Sequence, residues 1–347
     1  MMMGRKPPLV GIDIGNRAIK IAEAGESKKQ YQLKGFAIAD LAPGLIDNGA
    51  IIDRDAVVAI IRDLFKQNKI KNRNVALSIG GYSVIVKRIT IETMSDADFL
   101  ANIHAEAEQY IPFDISEVNL DYQIVGENQN NPDQMDVLLV AAKKEMIAEY
   151  IEILRTAKLN PCVIDVEAFA LQNLFEYNFE PTDDCVVLID IGASKTSINV
   201  LDGPDSLFMR DISIGCFHLD ETIADQLECT MAEAESRRLK NSQDDEIRPI
   251  IDTAASDWCG EINQVINHFY SSHRSHQISR AILSGGGAFV QPFSHKLALD
   301  LSVDVTTMDP FVNLALHPKC NDADRIRQLA PQLAIAMGLT LRKLDDK

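Results

Sequence analysis

Two stretches of the chain carry nearly the same succession of apolar and polar positions. Val10-Gly11-Ile12-Asp13-Ile14-Gly15 recurs as Val187-Leu188-Ile189-Asp190-Ile191-Gly192. Each is a β-rich apolar run broken by a glycine turn and followed by a second β-rich run, Ala18 to Ala22 in one case and Thr196 to Leu201 in the other. Both copies predict a hairpin with an aspartate just before its turn.

The segment from about Gly81 to Asn160 has its own pattern. Asp96 or Asp98 can cap a helix running through His104 to Tyr110 and stopping at Pro112. Val118, Leu120, Tyr122 and Ile124 then alternate with Asn119, Asp121 and Gln123, the period of a half-buried strand, ahead of a polar loop at Gly126 to Gln134. Val137 to Ala141 predicts a strand and Lys144 to Leu159 a helix, ended by Asn160-Pro161. Together these predict a small α+β module inserted into the first lobe.

Beyond the second hairpin, Phe217 to Tyr270 is helix-prone and acidic, with an exposed loop expected at Asn241 to Glu246. A strand at Arg280 to Leu283, a turn at Ser284-Gly285-Gly286-Gly287 and a helix near Val290 to Leu299 follow, and a last helix begins near Pro331.

Length and charge narrow the function classes. A chain of 347 residues is long enough for two lobes, each with its own core. Its 51 acidic against 34 basic residues give a net charge of −17, which repels phosphate backbones and acidic lipid, so direct nucleic-acid binding is not expected. Cys162, Cys185, Cys216, Cys229, Cys259 and Cys320 form no CxxC pair, which suits a reducing, cytoplasmic compartment. The amino-terminal segment lacks the apolar core of a signal peptide, and no stretch has the twenty or so apolar residues of a bilayer span. Membrane attachment would have to come from a partner.

The hairpins also carry candidate chemistry. A glycine turn lets backbone N–H groups approach phosphate oxygens, which places Gly15 and Gly192, and Mg²⁺ needs only one or two carboxylates, here Asp13 and Asp190. Lys20 returns on the second strand within reach of a phosphate, and Gly285, Gly286 and Gly287 let the chain pass close to an adenosine. One such hairpin is a common motif; two, with a third glycine turn, form a specific set. His268, His273 and His276 cluster near a helix end but lack zinc-type spacing, and Cys259 beside Trp258 reads as a packed thiol.

On these residues the chain resembles the actin, Hsp70 and sugar-kinase superfamily, in which two hairpins clamp nucleotide phosphates between lobes. The resemblance covers five segments in order: a first phosphate loop, Asp13 to Lys20, including Asn16; a connecting helix, Val163 to Leu171; a second phosphate loop, Asp190 to Thr196, including Ser194 and Lys195; an adenosine loop, Ser284 to Ala288; and a second connecting helix, Pro331 to Leu339. It implies ATP as ligand, with Mg²⁺ held through Asp13 and Asp190. Asp165 and Glu167 fall where relatives place the polar residue that orients the attacking water, and Glu167 is the better candidate. Glu235 and Arg238 resemble helix residues that frame the purine and ribose, although an exposed charged helix face reads almost as well.

The likeness is nearest to the PilM family of type IV pilus assembly proteins, through Glu117 to Tyr122, Leu139 to Glu145 and Asp165 to Leu171 as well as the loops. It implies a two-lobed, actin-like α/β ATPase fold with RNase H-like lobes and an FtsA-like α+β subdomain. The expected division is a first lobe of residues 1–80, 161–185 and 325–347, the inserted subdomain 81–160, a second lobe of 186–215 and 276–324, and a mainly helical subdomain 216–275. It further implies a groove for the cytoplasmic amino-terminal peptide of PilN, and a place peripheral to the inner membrane in the pilus assembly complex. Self-association is permitted by such a fold without being required, and ATP could be hydrolysed slowly or only bound. A small-metabolite kinase and an FtsA-like cell-division protein are the competing readings. The size of the insertion opposes the first; a carboxyl end that stops soon after the last helix, with no amphipathic segment, opposes the second.

Overall fold

The computed structural model describes residues 8–344 apart from 28, 29, 48, 129, 130, 181, 183, 241–243, 319, 321 and 322. The two chain ends and the start of the loop expected at Asn241 to Glu246 thus lie outside the described residues.

The chain opens with β1 (Val10–Ile14), buried at every position, followed by β2 (Ala18–Ser27) and β3 (Gln30–Asp40) in an antiparallel meander. A short hairpin, β4 (Ile46–Asp47) and β5 (Ala50–Ile51), leads into α1 (Arg54–Gln67), capped by the Asp53 carboxylate, and then β6 (Asn74–Ile79). The inserted module is β7 (Val84–Glu92), α2 (Asp96–Glu108), β8 (Val118–Asn128) and β9 (Asn131–Lys143). After it come α3 (Lys144–Thr156), β10 (Asn160–Val166) and α4 (Glu167–Asn178).

A second meander follows, β11 (Cys185–Ile191), β12 (Thr196–Asp202) and β13 (Asp205–Ile212). Three helices, α5 (Cys216–Leu227), α6 (Met231–Lys240) and α7 (Arg248–Ser272), precede β14 (Ile278–Ser284), α8 (Phe293–Leu301) and β15 (Asp304–Thr307). The chain then contributes β16 (Ala315–Leu316), α9 (Ala323–Gln328) and α10 (Ala334–Leu339).

The sequence echo is an echo of topology. The first sheet runs β10-β6-β1-β2-β3-β16 and the second β13-β12-β11-β14-β15, so each has a three-stranded meander with two parallel strands added beside its first strand. In the first hairpin Asp13 faces Lys20, and in the second Asp190 faces Ser197. The two aspartates therefore occupy equivalent places, one residue before the end of a central strand.

Helices α4 and α10 lie in the core between the two sheets. That core takes Ala22, Leu33 and Ala76 from the first sheet, Leu188 and Ile282 from the second, and Leu171, Leu174, Ala336 and Met337 from the helices. The approach is close enough to exclude side chains: a Cβ on Gly338 would fall 1.7 Å from the Ala170 carbonyl oxygen, and one on Gly11 2.1 Å from that of Ala336. Outside this layer α1 and α3 cover the first sheet, and α5, α7 and α8 cover the second.

Several boundaries differ from those read in the sequence. Ser95, not Asp96 or Asp98, caps α2, because its hydroxyl accepts from the Asp98 N–H at 3.2 Å. Much of the polar run Gly126 to Gln134 is strand, paired across β8 and β9, since polar side chains suit a hairpin that projects into solvent. The inserted sheet ends at Lys143, and α3, assigned to the 81–160 module, instead buries Tyr150, Ile153 and Leu154 against the first sheet. Likewise β16, within the 276–324 portion of the second lobe, pairs with β3 of the first. Val163 to Val166 is strand, so the first connecting helix starts at Glu167, and Pro331 sits in a 3₁₀ turn, Ala330–Leu333, ahead of α10. The helix expected from Val290 starts at Phe293.

In the inserted module Phe99 and Ile103 of α2 are buried on the sheet, with Phe99 edge-on to Tyr122 at 4.8 Å. Its β8–β9 end is tied by buried Asp136, which accepts from Arg88 at 2.9 Å, Thr90 at 2.8 Å and Asn128 at 2.9 Å. The three histidines are used in packing: His268 lies against Phe208, His273 stacks on Phe269 at 4.8 Å, and His276 is 3.5 Å from Asp202. Cys259 is fully buried. Among the described residues no helix is long and apolar enough to cross a membrane.

Two substitutions test this packing. Gly338→Ala should lower unfolding stability by about 1–3 kcal/mol, measured by urea denaturation, because the added methyl separates α10 from α4. Burial opposes ionisation of Asp136, but the bonds from Asn128, Arg88 and Thr90 outweigh it and hold the carboxyl below its usual range. Its contribution is therefore present above the unfolded pKa and lost as pH falls through the folded one. Asp136→Asn should cost about 1–3 kcal/mol at pH 7, and the difference from the parent protein should narrow below about pH 4.

Candidate functional site

The hairpin turns of the two lobes meet across a cleft of about 680 Å³. Gly15 and Gly192 close their turns by donating to the Ala18 carbonyl at 3.1 Å and the Lys195 carbonyl at 2.9 Å. Their N–H groups are thus spent within the turns, and the next residues form the tips. There the Asn16 amide donates to the Ser194 hydroxyl at 2.7 Å, joining the lobes, and Arg17 Nε donates to Glu235 on α6 at 2.7 Å.

Acids and bases interleave along the floor. Lys20 Nζ is 2.7 Å from Asp13 Oδ2, and burial, which disfavours its ammonium, is outweighed by that carboxylate, so its pKa is raised. Asp190 accepts from the Ser284 hydroxyl at 2.7 Å. Its pKa is pushed up to about 6, mainly by burial; the charges of Glu167 and Asp13 add to the rise, while the Ser284 bond and Lys20 oppose it. Glu167 is the first residue of α4, where the helix dipole favours an anion, and its Oε2 is 2.7 Å from Lys195 Nζ. Lys195 is also 3.0 Å from Asp211 of β13; burial works against its charge, but these two carboxylates raise its pKa.

The structure thus brings Asp13, Gly15, Asn16, Lys20, Glu167, Asp190, Gly192, Ser194, Lys195, Glu235, Arg238, Gly285 and Gly286 to one cleft. It does not bring Thr196 or Gly287 there. The Thr196 hydroxyl donates to the Ile214 carbonyl at 2.8 Å, and Gly287 is pressed on Ile191, whose Cγ2 a Cβ would meet at 2.1 Å. Nor are Glu235 and Arg238 simply a frame for a ligand. Glu235 is held by Arg17, and the Arg238 guanidinium grips buried Asp220 at 2.5 and 3.0 Å. Asp165 turns away from the cleft to accept from the Val166 N–H and Asn173, with Arg342 3.3 Å away.

The sequence reading passed over a second wall. Gly80 and Gly81 line the cleft straight after β6, as Gly285 and Gly286 do straight after β14, and β6 and β14 hold equivalent places in their sheets. The signal was present as Ala76-Leu77-Ser78-Ile79-Gly80-Gly81 beside Ala281-Ile282-Leu283-Ser284-Gly285-Gly286. Gly80 leaves no space for a side chain, since a Cβ would lie 2.3 Å from Glu167 Oε2 and 2.7 Å from Lys195 Nζ. Tyr150 of α3, whose hydroxyl donates to the Gly49 carbonyl at 3.0 Å, was also missed, because nothing local marks a helix residue that reaches a cleft.

Chemically, the cleft offers carboxylates able to hold a hydrated divalent cation and turn tips able to donate to anionic oxygens.

Known structures share this architecture. That of a PilM–PilN type IV pilus biogenesis complex superposes with a TM-score of 0.87 at 27% identity, covering 98% of this chain and 100% of that one. The ethanolamine utilization protein EutJ from Carboxydothermus hydrogenoformans gives 0.60 at 14% identity, covering 96% and 89%. MreB5 of Spiroplasma citri bound to ADP gives 0.54 at 11% identity, covering 96% and 95%. The fold is the two-lobed α/β fold of the actin-like ATPases. The family model for the type IV pilus assembly protein PilM matches residues 11–344, and the chain belongs to that family.

Proposed function

We propose that this protein is a cytoplasmic scaffold of the type IV pilus assembly platform that binds Mg-ATP between its lobes and the amino-terminal peptide of PilN elsewhere on its surface. The observation that carries the nucleotide reading is the pair of equivalent turns joined at Asn16 and Ser194, with Asp13 and Asp190 beneath them. Membership in the PilM family and the likeness to a PilM–PilN complex support the pilus role, and the nucleotide held by MreB5 on the same fold supports the ligand.

The residues present fit Mg-ATP. Asp13 and Asp190 would hold the hydrated cation, and Lys20 would approach a phosphate oxygen beside Asp13. Among the described residues the backbone N–H groups of Asn16, Arg17, Ala193 and Ser194 are those left at the turn tips for phosphate oxygens. The Ser284 hydroxyl holds one oxygen of the Asp190 carboxylate, which lines the cleft. When bound, Mg²⁺ would neutralise phosphate charge. Gly285, whose φ of 79° and contact with Ile191 exclude a side chain, provides the close backbone pass that an adenosine needs.

Glu167 is the acid placed to orient a water, but one of its oxygens is committed to Lys195. Turnover is therefore slow, and the nucleotide serves to set lobe closure. Closure is a population shift bounded by the difference in ligand affinity between open and closed states. PilN would supply the attachment to the inner membrane, docking an extended peptide in a groove beside the inserted module.

Two titrations test this reading. Calorimetry should show saturable Mg-ATP binding, weakened about tenfold or more by Asp190→Ala, the scale of one charge-assisted contact; unchanged affinity would remove the second hairpin from the site. A synthetic PilN amino-terminal peptide should bind one to one, with an affinity that differs with and without Mg-ATP. No peptide binding in either state would end the partner assignment while leaving the nucleotide site standing.

A further inference from the structure

Lys195 differs from the other paired cations around the cleft. Lys20 pairs with Asp13, Arg17 with Glu235 and Arg238 with Asp220, each with one carboxylate. The Lys195 ammonium is held by two, one from each lobe: Glu167 at 2.7 Å and Asp211 at 3.0 Å. An ammonium has three N–H donors, so this arrangement fixes the nitrogen in space and leaves a third donor. The side chain keeps 25% of its exposure and lines the cleft, so that donor has access to it.

Its place along the cleft is equally specific. Lys195 directly follows Ser194, the residue that meets Asn16 across the gap. With Glu167, Gly80, Gly81 and Tyr82 it also borders a smaller adjoining cavity of about 250 Å³, which Gly285 and Gly286 do not line. An extended ligand seated with its nucleoside at Gly285 and its phosphates between the turns would bring its far end to Lys195. The absence of a side chain at Gly80 is what lets Glu167 and Lys195 meet there.

Resting on the reading of this cleft as a nucleotide site, we propose that Lys195 is the residue by which it distinguishes a nucleoside triphosphate from the diphosphate. The third ammonium donor takes the terminal phosphate, while Glu167 and Asp211 act as positioning residues that hold the nitrogen in place. Because Glu167 belongs to the first lobe and Asp211 to the second, the triphosphate is read at a point that exists only when the lobes are together. A diphosphate ends short of it and gains nothing from the pair.

The test is equilibrium binding of Mg-ATP and Mg-ADP to the full chain by competition against a fluorescent nucleotide, with melting temperature as a folding control. Lys195→Gln should lower ATP affinity about tenfold or more and leave ADP affinity within about twofold, as expected for one charged hydrogen bond. Lys195→Arg, which keeps the charge, should retain a preference for ATP. Asp211→Asn, which leaves the lysine but loosens it, should give a smaller loss in the same direction and serves if the glutamine variant does not fold. Equal losses for both nucleotides, or an unchanged ATP affinity, overturn this inference alone. A parent protein that binds neither nucleotide overturns the nucleotide reading together with it.

Discussion

The architecture depends on how closely two helices can approach two sheets. Where α10 crosses α4 and β1, the backbone itself is the packing surface, because Gly338 meets the Ala170 carbonyl and Gly11 meets that of Ala336. Interior packing is dense enough that one methyl group at such a point must displace a whole element. With both helices seated, the sheets lie on either side of them, and the two hairpin turns, each rooted in a buried central strand, face one another. The two turns and the carboxylates rooted in those strands stand on either side of that contact.

The charged groups then restrain each other. On a strongly acidic protein the cleft nonetheless gathers Lys20, Arg17 and Lys195, each beside a carboxylate. Paired charges keep long side chains ordered, and removing one partner of such a pair leaves the other uncompensated. Arg17 to Glu235 and Lys195 to Glu167 both cross between lobes, so the same pairs that arrange the site also clasp it.

The hairpins were legible because a buried strand, an aspartate and a glycine are all local, and repetition made a weak motif specific. The lengths of β8 and β9 were not, since a polar hairpin beyond the core shows no apolar alternation at its tip. The assignment of α3 failed for another reason: its apolar face is plain in the sequence, but which sheet receives Tyr150, Ile153 and Leu154 is a tertiary fact. The site divides in the same way. Asp13, Asp190 and the glycine turns could be read from their neighbours, whereas the partners that change their meaning, Ser284, Asp211 and Gly80, come from distant segments. Thr196 and Gly287 were drawn in by adjacency to true cleft residues, yet strand alternation turns one inward and packing on Ile191 takes the other.

The crossing of α10 has a consequence for biosynthesis. The surface of β1 at Gly11 is synthesised well before the helix that covers it, with the rest of both meanders between them. Until α10 is made, the first sheet carries an apolar face without its partner, and the second meander and its helices are synthesised in the interval. Chains that fold with such a long-deferred contact expose aggregation-prone surface while they wait.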